Sequence, residues 1–218
     1  MYARLLATVC LLFAMLSAAR ADSAVPASDA LEVYLKGGEA STPDVLAAMN
    51  RELNALMETA GYRVIWRGAA DPPSSSGAEN LVIVELRGVC MAQFSLKSSK
   101  PLPGTIPLAS SSVVDGKVLP FSWLDCAALN RFLAPVASAK RKAQQDDLYG
   151  RSLARLLAHE LYHVLAHTGG HAPAGIAKAR FSAADLLADH LDFETGALDR
   201  LRPPPATQDS DDTAAAGR

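Results

Sequence analysis

Leu156-Leu-Ala-His159-Glu160-Leu-Tyr-His163-Val-Leu-Ala-His167-Thr-Gly-Gly-His171 is the stretch on which the reading of this 218-residue chain turns. Upstream, Arg151 to Ala158 is rich in good helix formers. Leu153, Leu156, Leu157, Leu161, Val164 and Leu165 recur at the three-and-four spacing of one buried helical face. The spacing predicts a helix from about Leu148 to about Thr168. His159 and His163 are then one turn apart and project to the same side. Four of the chain's five histidines lie within this stretch, a concentration that chance does not readily produce.

Two imidazoles so placed can share one zinc ion, and Glu160 beside them can reach a water on that ion without being a ligand. This is the H-E-x-x-H pattern of metal-dependent hydrolysis. A catalytic zinc takes three protein ligands and keeps one open position. His167 is a poor third ligand on a straight helix, because it sits ~12 Å along the axis from His159. Gly169-Gly170 is expected to end the helix, glycine being free to enter the left-handed conformation. The chain can then double back and present His171, the favoured third ligand. Asp185 and Asp189 rank below it as carboxylate alternatives, and His167 reads as a surface or capping residue near the helix C-terminus.

On these residues the chain resembles the zincin-type metallopeptidases, and the metzincin branch most. His159, Glu160 and His163 match the core motif residue for residue. Ala166 stands where metzincins have a turn glycine, and Gly169 where they have the third histidine. Gly175-Ile-Ala-Lys178 is similar to the segment that passes beneath the zinc, but lacks its methionine. The run from His171 through Gly175-Ile176 to Phe181-Ser182 and Asp185-Leu186 also looks like small secreted bacterial metallopeptidases. The close similarity covers residues 150–187, with a looser echo back to Cys90. The resemblance implies a zincin-like α+β fold: a mixed sheet, an active-site helix and a following C-terminal helix.

At the start of the chain, Met1 to Arg4 is positive, Leu5 to Leu16 is apolar, and Ala19-Arg20-Ala21 is a small-x-small cleavage site. Residues 1–21 therefore read as a secretory signal peptide, too short in its apolar run to span a membrane. Cys10 lies within it without the context of a lipid anchor. Loss of Arg4 and Arg20 leaves about 19 basic residues against 23 acidic, which argues against nucleic acid or an anionic membrane as a partner. Residues 22–200 suit a single domain. Arg202 to Arg218, rich in Pro, Asp and Ala, reads as a disordered tail from about residue 201. Cys90 and Cys126 form an even pair in an exported chain and are expected to make one disulfide. No His lies near either in sequence to make it a nucleophile.

The intervening chain supplies the sheet. Ala30 to Leu35 reads as a strand, and Thr42-Pro43 opens a helix running to about Ala60. Tyr62 to Arg67 is a second strand. Leu81 to Leu86, continuous and β-branched, is expected at the sheet centre. Asp71 to Gly77 and Lys97 to Pro107 read as loops. Asp115-Gly116 marks a hairpin turn. Asp125 caps a helix to about Val136, with Lys140-Arg-Lys142 as a solvated linker after it. Ser182 and Asp185 make a capping pair for one helix from Ala183 to about Leu198.

The expectation is a secreted or periplasmic zinc-dependent endopeptidase acting on a peptide or protein substrate. Zn2+ would be held by His159, His163 and His171, with Glu160 as general base. Tyr149, Tyr162, Lys178 and Arg180 are the open choices for a donor to the oxyanion. A zinc-binding protein without catalysis is the first alternative, and a metal-free binding module the second. The sequence specifies neither the substrate nor the oligomeric state.

Overall fold

The computed structural model describes residues 29–68, 70–72, 80–95 and 107–202. The expected signal peptide, almost all of the expected tail, and most of the two expected loops lie outside them. No helix among the described residues is long and apolar enough to cross a membrane.

Strands β1 (Asp29–Lys36), β2 (Tyr62–Gly68), β3 (Asn80–Arg87), β4 (Ala109–Val114) and β5 (Lys117–Asp125) form one mixed sheet in the order β2-β1-β3-β5-β4. Four strands are parallel and β4 runs antiparallel to β5 at the edge. The apolar run of β3 occupies the centre, as its composition predicts. Period-two alternation sends Leu31, Val33, Val82, Val84, Leu86 and Leu124 to one face, all buried. The opposite face is mixed, with Glu32, Tyr34, Lys36, Glu85 and Arg87 set among Ile65, Leu81, Ile83, Phe121 and Trp123. There Lys36, Glu85 and Trp123 are cross-strand neighbours, Glu85 pairs with Lys36 and Arg87, and the Arg87 guanidinium lies 4.5 Å over the Trp123 ring. Charge pairing lets this face meet water without a second helical layer.

Helices α1 (Pro43–Thr59), α2 (Cys126–Ala137) and α3 (Lys142–Leu165) join this sheet in one continuous core. Thr42 caps α1 by accepting from the Val45 N–H, and Asp125 caps α2 by accepting from the Ala128 N–H. Helix α1 packs on α3 at Gly150. A Cβ there would press on the Val45 carbonyl oxygen and the Ala48 methyl group, so the backbones can touch only because this residue has no side chain. Arg155, buried in the contact, donates to Glu52 at 2.6 Å. Cys90, just past β3, is disulfide-bonded to Cys126 at the start of α2.

Two boundaries differ from expectation. Helix α3 begins at Lys142, the last residue read as linker, and so starts about six residues before the expected Leu148. Its first turn is held by polar contacts, with Gln144 accepting from the Arg141 N–H and the Lys142 amine donating to Asp146 and the Ala92 carbonyl. Apolar periodicity carries no trace of these. The expected C-terminal helix is two short ones, α4 (Ala183–Leu187) and α5 (Thr195–Leu201). Arg155 donates to the carbonyls of Asp185, Leu186 and Ala188, and Arg151 to those of Ala188 and Asp189. The acceptors that would have continued α4 are thus occupied by two cations from α3, Arg155 buried and Arg151 half-buried.

Candidate metal centre

Helix register brings His159 and His163 to one side of α3, and each ring is locked from behind. His159 Nδ1 lies 2.8 Å from the Ile176 carbonyl, and His163 Nδ1 lies 2.7 Å from the Thr168 carbonyl. A carbonyl only accepts, so both Nδ1 atoms carry a proton, and in the neutral rings both Nε2 atoms present lone pairs. Those two lone pairs face one another at 3.1 Å. Left alone they repel; a shared cation converts the repulsion into coordination. Two ligands of a tetrahedral zinc, each ~2.0–2.1 Å from it, stand about 3.3 Å apart, close to this spacing.

His171 completes the group. Its ring centroid is 5.3 Å from that of His159 and 4.8 Å from that of His163. One ligand atom from each of the three lies within 4.8 Å of the others. Three clustered imidazoles, two of them with Nδ1 held on a carbonyl, fit a divalent borderline metal, and those two carbonyls are the outer partners such ligands need.

The turn that brings His171 back is built differently from the expectation. Helix α3 ends at Leu165 and the left-handed residue is His167 (φ 47°), while neither Gly169 nor Gly170 has positive φ. The Thr168 N–H donates to the His163 carbonyl and the His167 N–H to the Val164 carbonyl, the paired bonds of a Schellman closure. His167 is therefore exposed, absent from the histidine cluster, and structural in its backbone. Past His171, the Ala172 N–H donates to the Ala177 carbonyl and the Ile176 N–H to the Asp192 carbonyl. Gly175 adopts φ 68°, and a Cβ on it would press on the Asp192 carbonyl oxygen. This fastening aims the Ile176 carbonyl at His159. The segment read as passing beneath the metal thus supports His159 through its backbone.

Glu160 lines a cleft of about 910 Å³ together with all three histidines. It is buried at 5 % exposure. Burial pushes its carboxyl up to about 7 against the opposing pull of Ser111. The Ser111 hydroxyl on β4 lies 2.7 Å from Glu160 Oε2 and 2.9 Å from the Ser122 hydroxyl. Sequence reading missed both serines, because 49 residues separate Ser111 from Glu160 and no local pattern links them. Burial also lowers His159 to about 4, and lowers His171 with help from neighbouring His163. Both shifts favour the neutral imidazole that a metal requires.

The remaining candidates separate cleanly. Tyr149 is buried with its hydroxyl donating to the Cys126 carbonyl, and Tyr162 is buried with its hydroxyl accepting from Arg200. Lys178 is paired with Asp185 at 2.6 Å. Arg180 alone of the four lines the cleft. Asp185 caps Ser182 and is held down to about 2, chiefly by Lys178, so its oxygens are committed away from the histidines. Neither Asp189 nor His190 joins the histidine cluster, and His190 is exposed. Leu108, Val113, Val118, Phe132, Leu156 and Phe181 give the cleft an apolar lining.

The chain matches no protein-family model, and no curated protein matches its sequence.

Proposed function

We propose that this protein is an exported zinc-dependent endopeptidase, with His159, His163 and His171 holding the metal and Glu160 acting as general base. The observation that carries the reading is the pair of Nε2 lone pairs facing at 3.1 Å, with His171 beside them and Glu160 in the same cleft. Zinc held there supplies Lewis acidity, lowering the pKa of water toward about 7 and polarising a carbonyl group.

The chain's own residues supply the rest. Glu160 takes a proton from the attacking water and returns it to the departing amine, a transfer worth about 10²–10⁴-fold in rate. Edge strand β4, paired only with β5, leaves a row of backbone groups beside the cleft against which an extended peptide can lie. The apolar lining favours a peptide with large apolar side chains near the scissile bond. Arg180 is the residue assigned to the developing oxyanion, because its three rivals are buried or paired elsewhere. The Cys90–Cys126 disulfide supports an oxidising compartment.

A zinc-binding protein without catalysis is the second reading. It is favoured by the absence of a methionine in Gly175–Lys178 and by the depth at which Glu160 is buried. One experiment separates the two. Zinc content by elemental analysis and cleavage of a mixture of internally quenched peptides are measured for wild type and Glu160→Gln. One zinc per chain in both, with cleavage only in wild type, supports the peptidase. Zinc in both with no cleavage leaves the binding protein. A folded wild type that takes up no zinc defeats both.

A further inference from the structure

We infer that Ser111 is a positioning residue for Glu160, with Ser122 behind it, so that the edge strand of the sheet holds the general base in place. The inference rests on the peptidase reading of the cleft and adds the group that orients its base.

Proton accounting gives the direction of the chain. An ionised Glu160 can only accept, so the Ser111 hydroxyl donates its single proton to Oε2 at 2.7 Å. Its oxygen is then free to accept from the Ser122 hydroxyl at 2.9 Å. Ser122 is 4 % exposed, which keeps water from competing at the far end. When Glu160 carries the proton it has taken, Ser111 can accept from the carboxyl instead. Its own hydrogen then has two other acceptors, Ser122 Oγ and the Glu160 backbone carbonyl at 3.3 Å. One hydroxyl therefore keeps hold of the carboxyl before and after proton transfer. A partner able only to accept would have no bond to the carboxyl while it is ionised.

The strand is shaped for this contact. Ser111 and Ser122 are register partners on β4 and β5, and between them and the Val113–Val118 pair the register shifts, with Ser112 alone on β4 opposite Leu119 to Phe121 on β5. Ala109, Ser111, Val113 and Val118 all face the cleft. The strand that offers backbone groups to a peptide is thus the strand that fixes the base, so substrate and base are referred to one rigid element.

The test uses zinc-loaded, full-length protein. Infrared difference spectra against Glu160→Gln isolate the Glu160 carboxyl band in wild type and in Ser111→Ala. The band is expected to shift in Ser111→Ala and to return toward its wild-type position in Ser111→Thr. On the quenched-peptide mixture, Ser111→Ala is expected to lower kcat about ten-fold, with KM and zinc content within about two-fold of wild type and Ser111→Thr restoring most of the rate. Ser122→Ala should show a smaller loss in the same direction. An unshifted band, or a wild-type kcat in Ser111→Ala, overturns the inference. Wild type that binds zinc yet cleaves nothing defeats the peptidase reading instead, and the band still decides whether Ser111 holds Glu160.

Discussion

His159, Glu160 and His163 stand within two turns of a 24-residue helix, the first two buried and His163 half-buried. His171 stands on an exposed turn between that helix and α4. The helical half is placed by register alone, and every backbone bond of α3 helps to hold it. The loop half is placed by a handful of named contacts: the closure at His167, the Ala172–Ala177 and Ile176–Asp192 bonds, Gly175, and the Lys178–Asp185 pair. The halves meet at two backbone carbonyls, Thr168 and Ile176, through which the loop orients the helix's own histidines. A rigid element fixes where ligands are; an irregular one fixes which way they face.

Breaking the two halves separately gives the largest effects. His163→Ala should abolish stoichiometric zinc binding, whereas His171→Ala should weaken zinc by more than about 100-fold, since loss of outer partners alone costs 10–100-fold. Competition with a chelator of known affinity reads both. Equal zinc affinity in His171→Ala and wild type would show that the loop contributes no ligand.

Next comes Gly175→Ala, which puts a side chain on a left-handed residue and against the Asp192 carbonyl. It should cost about 2–3 kcal/mol, lowering Tm by ~5–10 °C in a thermal melt. Zinc affinity should fall with it, because the Ile176 carbonyl that orients His159 is displaced. His167→Gly should do the opposite. Relief of the left-handed histidine should stabilise the metal-free protein by about 0.5–1 kcal/mol, and zinc content should stay the same. Zinc lost on that substitution would make His167 a ligand after all.

The smallest effect is acid-dependent. Asp185 is held down to about 2 in the folded protein, against about 3.9 in an unfolded chain. A depressed carboxyl contributes stability that is complete above about pH 4 and is lost as pH falls toward 2. The pair is partly exposed, so screening keeps the contribution below about 1 kcal/mol. The Tm difference between wild type and Asp185→Asn should therefore close between pH 4 and pH 2.

The sequence told more about the helical half than the loop half, for the same physical reason. Period and caps are local, so the central place of β3, the caps at Thr42 and Asp125, the Asp115-Gly116 turn and the shared face of His159 and His163 could all be read from neighbouring residues. Composition points to Gly169 or Gly170 for the left-handed residue, which lies at His167 because the last turn of α3 closes on its own carbonyls before the glycines are reached. The break between α4 and α5 depends on arginines 30 or more residues upstream. Ser111 meets Glu160 only when an edge strand and a helix are already docked. Contacts of that separation leave no mark in a window of ten or twenty residues.

Gly150 has one more consequence, best put mechanically. The crossing with α1 acts as a pin through the rod of α3, fixing it against sliding along its own length. His159 and His163 lie about 14 Å and 20 Å down that rod, so an axial slip at the pin arrives at the histidines undiminished. The alignment of the site is thus set at a point where no site residue is found. A single methyl group added there would detune the centre from a distance, leaving every residue of the histidine cluster and its cleft chemically intact.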